Sequence, residues 1–162
     1  MGDLLNKVPL NYEPLRQNRF ILRFPSDLGI MEWWVASAAR PHMTQSAVEI
    51  PFFNTSTYVV GRYKWESMTV QLHDPQGPSA SQAVMEWVRL HSESVTGRQG
   101  YAAGYKRDLE LEMSDPTGVC VSKWILKNCM ITSFDGGQLN YSQDALADIT
   151  LGIQMDYCIL AY

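Results

Sequence analysis

The stretch PFFNTSTYVVGRYKW, residues 51–65, decides how the rest of the chain is read. Five of its fifteen residues are aromatic (Phe52, Phe53, Tyr58, Tyr63, Trp65) and four are β-branched (Thr55, Thr57, Val59, Val60). That composition favours extended strand. Successive side chains of a strand point to opposite faces, so Tyr58 and Val60 lie on one face and Val59 on the other. Both faces are apolar, and one of them has to be covered by something outside the local strand pair.

The flanking segments are also strand-like. NRFILRF (18–24), MEWWVASAAR (31–40) and TQSAVEI (44–50) read as strands, with Pro51 expected to break the ladder because proline has no N–H to donate. TSTYVV (55–60) and KWESMTVQLH (64–73) read as two strands separated at Gly61, the second with Met68, Val70 and Leu72 toward a core. DPQGP (74–78) is turn chemistry. The period then changes: Ala80, Ala83, Val84, Trp87 and Val88 form one helical stripe over 79–93, with Ser79 and Gln82 at capping-box spacing. Val84, Trp87 and Val88 are the expected anchors of that helix on the core. TGRQGYAAGY (96–105) is a Gly-punctuated loop. RDLELEM (107–113) alternates Leu109, Leu111 and Met113 against Asp108, Glu110 and Glu112. Residues 119–134 read as a long β region bent or broken near Asn128, DGG (135–137) turns, and 147–162 closes the chain as an alternating strand. Its polar face carries Asp148, Thr150, Gly152, Gln154 and Asp156. Residues 1–17, with Pro9 and Pro14, read as an irregular arm. About eight strands and one helix predict a mainly β fold, two packed antiparallel sheets in a sandwich or small barrel with one flanking helix.

Length and composition narrow the function. A chain of 162 residues is expected to form a single domain. Its net charge of −4, from 13 basic and 17 acidic side chains, shows no dense basic cluster of the kind a tight nucleic-acid binder presents. Three cysteines (Cys120, Cys129, Cys158) without a C-x-x-C pair fit neither a disulfide framework nor a zinc site, and read as buried free thiols. No apolar run reaches about 18 residues, so no membrane partner is expected. The amino terminus lacks a signal-peptide core, and Lys7 stands where a myristoylation pattern requires Ser or Thr. His42, His73 and His91 are scattered without metal-ligand spacing, GYAAG (100–104) is not a dinucleotide fingerprint, and no nucleophile elbow or phosphate loop occurs. The acidic row of Asp108, Glu110 and Glu112 reads as a solvated strand face. No catalytic, cofactor or metal site is expected. The chain instead has an excess of apolar strand, over 51–65, 119–134 and 157–162. Such surface aggregates unless a neighbouring subunit covers it. A head-to-tail contact between two different patches makes rings or filaments.

The order of NRFILRF, ASAARP leading through VEIPFFNTSTYVVGRYKWESMTVQLHD, the helix QAVMEWVRLHSE, GYKRDLELEM and the closing ADITLGIQMDY resembles the tail tube protein of contractile-tailed bacteriophages, within the Hcp-like tube superfamily. The resemblance runs over nearly the whole chain, and CILAY (158–162) extends a little past the usual end. It implies six copies per ring, stacked rings, and inner sheets joined into one barrel around a channel. Tape-measure protein and DNA would pass through that channel, sheath subunits would surround the tube, and baseplate and terminator proteins would close its ends. It implies a location in the virion tail after synthesis in host cytoplasm. It makes 44–65 an extended hairpin reaching the adjacent ring, with Phe52, Phe53, Thr57, Tyr58, Val59, Val60 and Tyr63 as contact residues. It also makes Asp148, Thr150, Gln154 and Asp156 candidates for the lumen wall. The alternatives are a tube-initiator or baseplate subunit, a secreted Hcp-like ring and, in a different class, a small-ligand β-barrel, which would need a closed apolar interior.

Overall fold

A computed structural model describes residues 11–162; the part of the expected arm that falls in 1–10 lies outside the described residues. The described elements run β1 (Phe20–Arg23), β2 (Val35–Ala38), β3 (Met43–Phe52), β4 (Thr55–Trp65), β5 (Met68–His73), α1 (Ala80–His91), α2 (Ala102–Tyr105), β6 (Arg107–Ser114), β7 (Cys120–Asp135), β8 (Asp148–Gln154) and β9 (Tyr157–Leu160). All strand pairings are antiparallel. A first sheet has the order β1–β6–β7–β9, a second β7–β8–β5–β2, and β3 pairs only with β4. The two sheets share β7, and the path is not closed into a barrel.

The shared strand explains the fold. The first half of β7 pairs with β6 and β9, and its second half with β8. The change of partner occurs at Asn128, which has φ +55°. Asparagine is one of the few residues that enter this left-handed region readily. Its backbone N–H donates to Asp108 Oδ1 at 3.0 Å, and its side-chain Nδ2 donates to Asp156 Oδ2 at 2.9 Å. Lys127 Nζ donates to Asp108 at 3.1 Å and Lys106 Nζ to Asp156 at 3.0 Å. The corner is thus fixed by two carboxylates, each held by Asn128 and by a lysine, Lys106 reaching both oxygens of Asp156. The Asn128 amide, with help from Lys127, holds the Asp108 carboxyl below the usual carboxylate range.

Between the sheets lies one apolar core. Leu22, Leu109, Leu111 and Leu126 face it from the first sheet, and Val70, Leu72, Ile149, Leu151 and Ile153 from the second, all fully or almost fully buried. Each such side chain contributes roughly 1.5–3 kcal/mol by leaving water. Helix α1 adds Val84 and Trp87, both buried, and Val88, partly buried against the same cluster. The Trp87 ring meets Phe24 edge-on at 6.5 Å, and its indole N–H donates to the Tyr105 carbonyl at 2.8 Å, which ties α2 to α1.

Several segments differ from the sequence expectations. Residues 31–40 are not strand throughout: Glu32–Trp34 form a 3-10 turn, which places Trp34 in the core and leaves Trp33 exposed. Pro51 does not end β3 but pairs with Ser56 inside the ladder; a two-stranded ribbon has a free outer edge on each strand, where a missing N–H forfeits no bond. Gly61 does not divide two strands. It lies within β4 at a bulge where Gly61 and Arg62 oppose Ser46, and a Cβ there would collide with the Ser46 hydroxyl. The closing strand is broken at Met155–Asp156, after which β9 joins the other sheet along Trp124–Lys127. CILAY therefore supplies most of an edge strand. Four residues of the 96–105 loop form the single turn of α2. Of the three free cysteines, only Cys129 is buried; burial pushes its thiol up to about 12 and that of Cys158 to about 11, so both are protonated at neutral pH.

The start of α1 is capped twice. Ser79 Oγ accepts from the Gln82 N–H, the arrangement its spacing predicts, while Asp74 Oδ1 accepts from the N–H groups of Ala80 and Ser81 and Oδ2 accepts from the Ser81 hydroxyl at 2.6 Å. The Ser81 hydroxyl bond, joined by the others, holds the Asp74 carboxyl below its ordinary value of 3.8. Asp74→Ala is expected to lower stability by about 1–2 kcal/mol. The native carboxyl is the stronger acid, so its contribution is complete above pH 3.8 and is lost as pH falls through the lowered native value. Urea unfolding of wild type and variant should show the gap at pH 7 shrinking toward pH 2. In the same assay Trp87→Ala should cost about 3–5 kcal/mol.

Candidate assembly surfaces

Among the described residues no cluster of His, Cys, Asp and Glu could hold a metal, and no described helix is long and apolar enough to cross a membrane. The unusual features of the molecule are surfaces.

The first is the β3–β4 hairpin. Its strands pair over Met43–Trp65 and with no other described strand. From the register, Val48, Ile50 and Phe52 share a face with Val59, Thr57 and Thr55; Ala47, Glu49 and Pro51 share the other with Val60, Tyr58 and Ser56. Both faces are open: Val59 is 46 % exposed, Tyr58 64 % and Val60 70 %. Tyr63 is exposed nearer the base, and Phe52 and Phe53 stack edge-on at the tip at 4.6 Å. The hairpin is fixed to the sandwich only at its root, where Trp65 meets Trp124 edge-on at 6.5 Å and the Trp65 carbonyl accepts from Gln154 Nε2 at 2.9 Å.

The second and third surfaces are the outer faces of the two sheets. On the second sheet Thr69, Gln71 and His73 of β5 lie beside Gly152, Thr150 and Asp148 of β8, with Ser37 of β2 next to Gln71 and with Ser133 and Asp135 of β7 on the other flank. No strand residue of this sheet between Val35 and Ala38, Met68 and His73, Met130 and Asp135, or Asp148 and Gln154 is Lys or Arg. Its one basic side chain, His73, touches Asp148 at 2.7 Å. The outer face of the first sheet is built differently. Arg23 pairs with Glu112 at 3.2 Å, Lys123 with Glu110 at 3.0 Å, and Lys127 with Asp108 at 3.1 Å. The acidic row of β6 is therefore neutralised side chain by side chain.

The structure groups the sequence-predicted lumen residues only in part. Asp148, Thr150 and Gln154 share the outer face of β8, each half-buried. Asp156 lies beyond the end of β8 and is held by Lys106 and Asn128 at the corner of β7; the period-two count carried it onto the strand because the break at Met155 leaves no polar signature. Sequence reading also missed the 136–147 loop, where Leu139, Tyr141 and Leu146 stand largely exposed. The signal available was three large apolar residues without alternation between Gly136-Gly137 and β8. The exposed edge of β9, with Tyr157, Ile159 and Leu160, was legible as apolar excess in 157–162.

No protein-family model matches the chain, and no match is found among curated proteins. Solved structures do match. The tube-terminating cap of the anti-feeding prophage superposes with a TM-score of 0.74 at 17 % identity, covering 99 % of this chain and 98 % of that one. A chain from the sheath/tube terminator of an extracellular contractile injection system (PVC), in its extended state, gives 0.73 at 14 % identity over 94 % of this chain and 99 % of that one. A chain from the sheath–tube complex of the same system gives 0.68 at 15 % identity over 98 % of both. The hairpin, the sandwich sharing β7 and the flanking helix are thus the fold found in tube and tube-terminating structures of contractile injection systems.

Proposed function

We propose that this chain is a structural subunit of a tail-type tube, assembling as hexameric rings that stack around a channel. The observation that carries this reading is the unpartnered hairpin: two long strands, apolar on both faces, that no other part of the described chain covers. In a stack of rings its faces are buried by another copy, and Phe52, Phe53, Thr57, Tyr58, Val59, Val60 and Tyr63 supply the contact. The outer face of the second sheet, with Asp148, Thr150 and Gln154, forms the channel wall. A wall without Lys or Arg offers DNA phosphates no counterion-releasing contacts, so a genome or tape-measure protein passes without being held. The ion-paired face of the first sheet looks outward toward the sheath. Asp156 serves the corner of β7 rather than the lumen.

A second reading, a ring that terminates the tube, is favoured by the two terminator structures of TM-score 0.74 and 0.73. Negative-stain microscopy of the purified protein separates the two: a tube subunit gives long hollow tubes, a terminator single rings, and dispersed monomers defeat both.

Two further outcomes follow from the geometry. The double variant Tyr58→Asp, Val59→Asp places charge on both hairpin faces; it should stay folded by circular dichroism yet form no tubes, and tubes at the normal protein concentration would remove the hairpin from the contact between rings. Thr150→Cys in assembled tubes, with capped ends, should resist a bulky polyethylene-glycol maleimide while Arg23→Cys reacts. The opposite pattern would exchange the inner and outer sheets.

A further inference from the structure

The strand path β1–β6–β7–β8–β5–β2 ends in β1 and β2, and these two ends leave the sandwich open between them. The opening is a cleft of about 690 Å³. Phe20 lines it from β1 and Ala36 and Ala38 from β2, while Leu111 and Met113, which belong to the inner face of β6, form its floor. It is a groove open to solvent along one side, with room for a pair of aromatic rings. Among the described lining residues Arg40 is the single charged one.

The tip of the hairpin has the opposite character. Between residues 47 and 60 the only charged side chain is Glu49. Phe52 and Phe53 form an aromatic pair at the end, with Phe53 92 % exposed. Phe53 is held at φ +50°, a conformation that bulky L-residues rarely adopt. That φ belongs to the two-residue turn Phe53–Asn54, which joins the paired Phe52 and Thr55 and places the ring at the end of the hairpin. Glu49 sits three residues before Phe52, roughly 10 Å along the strand. Among the described residues neither Glu49 nor Arg40 has an ion-pair partner.

We propose that the Phe52–Phe53 tip of one copy seats in the cleft between β1 and β2 of another, with Glu49 paired to Arg40 of that second copy. The chain then carries a plug and a socket on different patches, which is what a head-to-tail contact requires. One largely apolar end with a single negative charge meets a cleft whose apolar floor is rimmed by Gln17, Asn18 and Ser37 and carries a single described positive charge, Arg40. That complementarity fixes register as well as partner. The inference rests on self-assembly through the hairpin and adds the surface that receives it.

Two photo-crosslinking probes test it in the full chain: benzoylphenylalanine in place of Phe53, and separately in place of Ala36. The first should crosslink between copies to peptides containing 36–40 or 111–113, and the second to 49–53. Tubes whose Phe53 crosslinks map elsewhere overturn the cleft assignment and leave the tube reading standing. Capture of residues 1–10 by the Ala36 probe gives the cleft to the amino-terminal segment and also overturns it. Absence of any crosslink between copies overturns both readings. The exchange of charges provides an independent arm. Glu49→Arg and Arg40→Glu should each raise the concentration needed for assembly on the order of ten-fold or more, and an equal mixture of the two variants should restore it. Single variants that assemble like wild type overturn the pairing.

Discussion

The bend at Asn128 is the constraint on which the rest of the molecule depends. A strand as long as β7 would otherwise run straight through one sheet. A single residue at φ +55° redirects it, so that its two halves belong to different sheets. The redirection frees the Asn128 backbone N–H from the ladder and turns its side-chain amide toward Asp156. Asp108 and Asp156 take them up, and Lys106 and Lys127 neutralise the two carboxylates. The same corner sets the end of β8 and the start of β9, because both run along one side of β7 and must part where it bends. A hydrophobic side chain at 128 would lack the Asp156 bond and would resist the left-handed conformation. The two faces of the sandwich, and therefore the two surfaces it offers to neighbours, are oriented by this one residue and its carboxylates.

Legibility in the sequence follows the same physics. β5, β6 and β8 are readable because each has one face on the core and one on solvent, and that environment writes a period of two into the residues: Met68, Val70 and Leu72, or Leu109, Leu111 and Met113. Helix α1 is readable from its stripe and its Ser79 cap. The bend near Asn128 is visible as an interruption, but the change of partner is not, since it depends on which strand lies beside each half. Trp34 misleads because a tryptophan entering the core from a 3-10 turn carries the composition of a strand. Pro51 misleads because the rule against proline in a ladder assumes neighbours on both sides, and the ribbon has one. Asp74 is invisible as a cap because it reaches across the turn DPQGP to a helix several residues away. Asp156 looks like one more polar residue of a strand that has in fact already ended. Each miss involves a contact whose partner is set by tertiary folding.

The hairpin behaves differently from the sandwich that carries it. An isolated two-stranded ribbon is marginally stable in water, and among the described residues this one has no third strand and both of its faces are exposed. Its cross-strand pairs, such as Val48 with Val59 and Glu49 with Tyr58, each contribute a fraction of a kcal/mol to about 1 kcal/mol. The bulge at Gly61 and the anchor of Trp65 on Trp124 aim the ribbon without covering it. Its order in solution is therefore coupled to whatever it touches. A partner that binds only the ordered form would stabilise it by mass action, while the sandwich, with its own core, stays folded without one.

The two sheets present outer faces of different chemistry. On the first sheet, charge is abundant but satisfied locally, cation against carboxylate at about 3 Å. Such exposed pairs contribute little stability individually. They do leave a surface polar enough for solubility and patterned enough to select a partner with complementary charge. On the second sheet no strand residue is Lys or Arg, and the carboxylates of Asp135 and Asp148 stand beside the hydroxyl and amide groups of Ser37, Thr69, Gln71, Thr150 and Ser133. Groups of that kind form exchangeable hydrogen bonds with water and no strong contact with a polyanion. The two faces thus differ in how they present charge, and β7, bent at Asn128, gives each kind of face a sheet of its own.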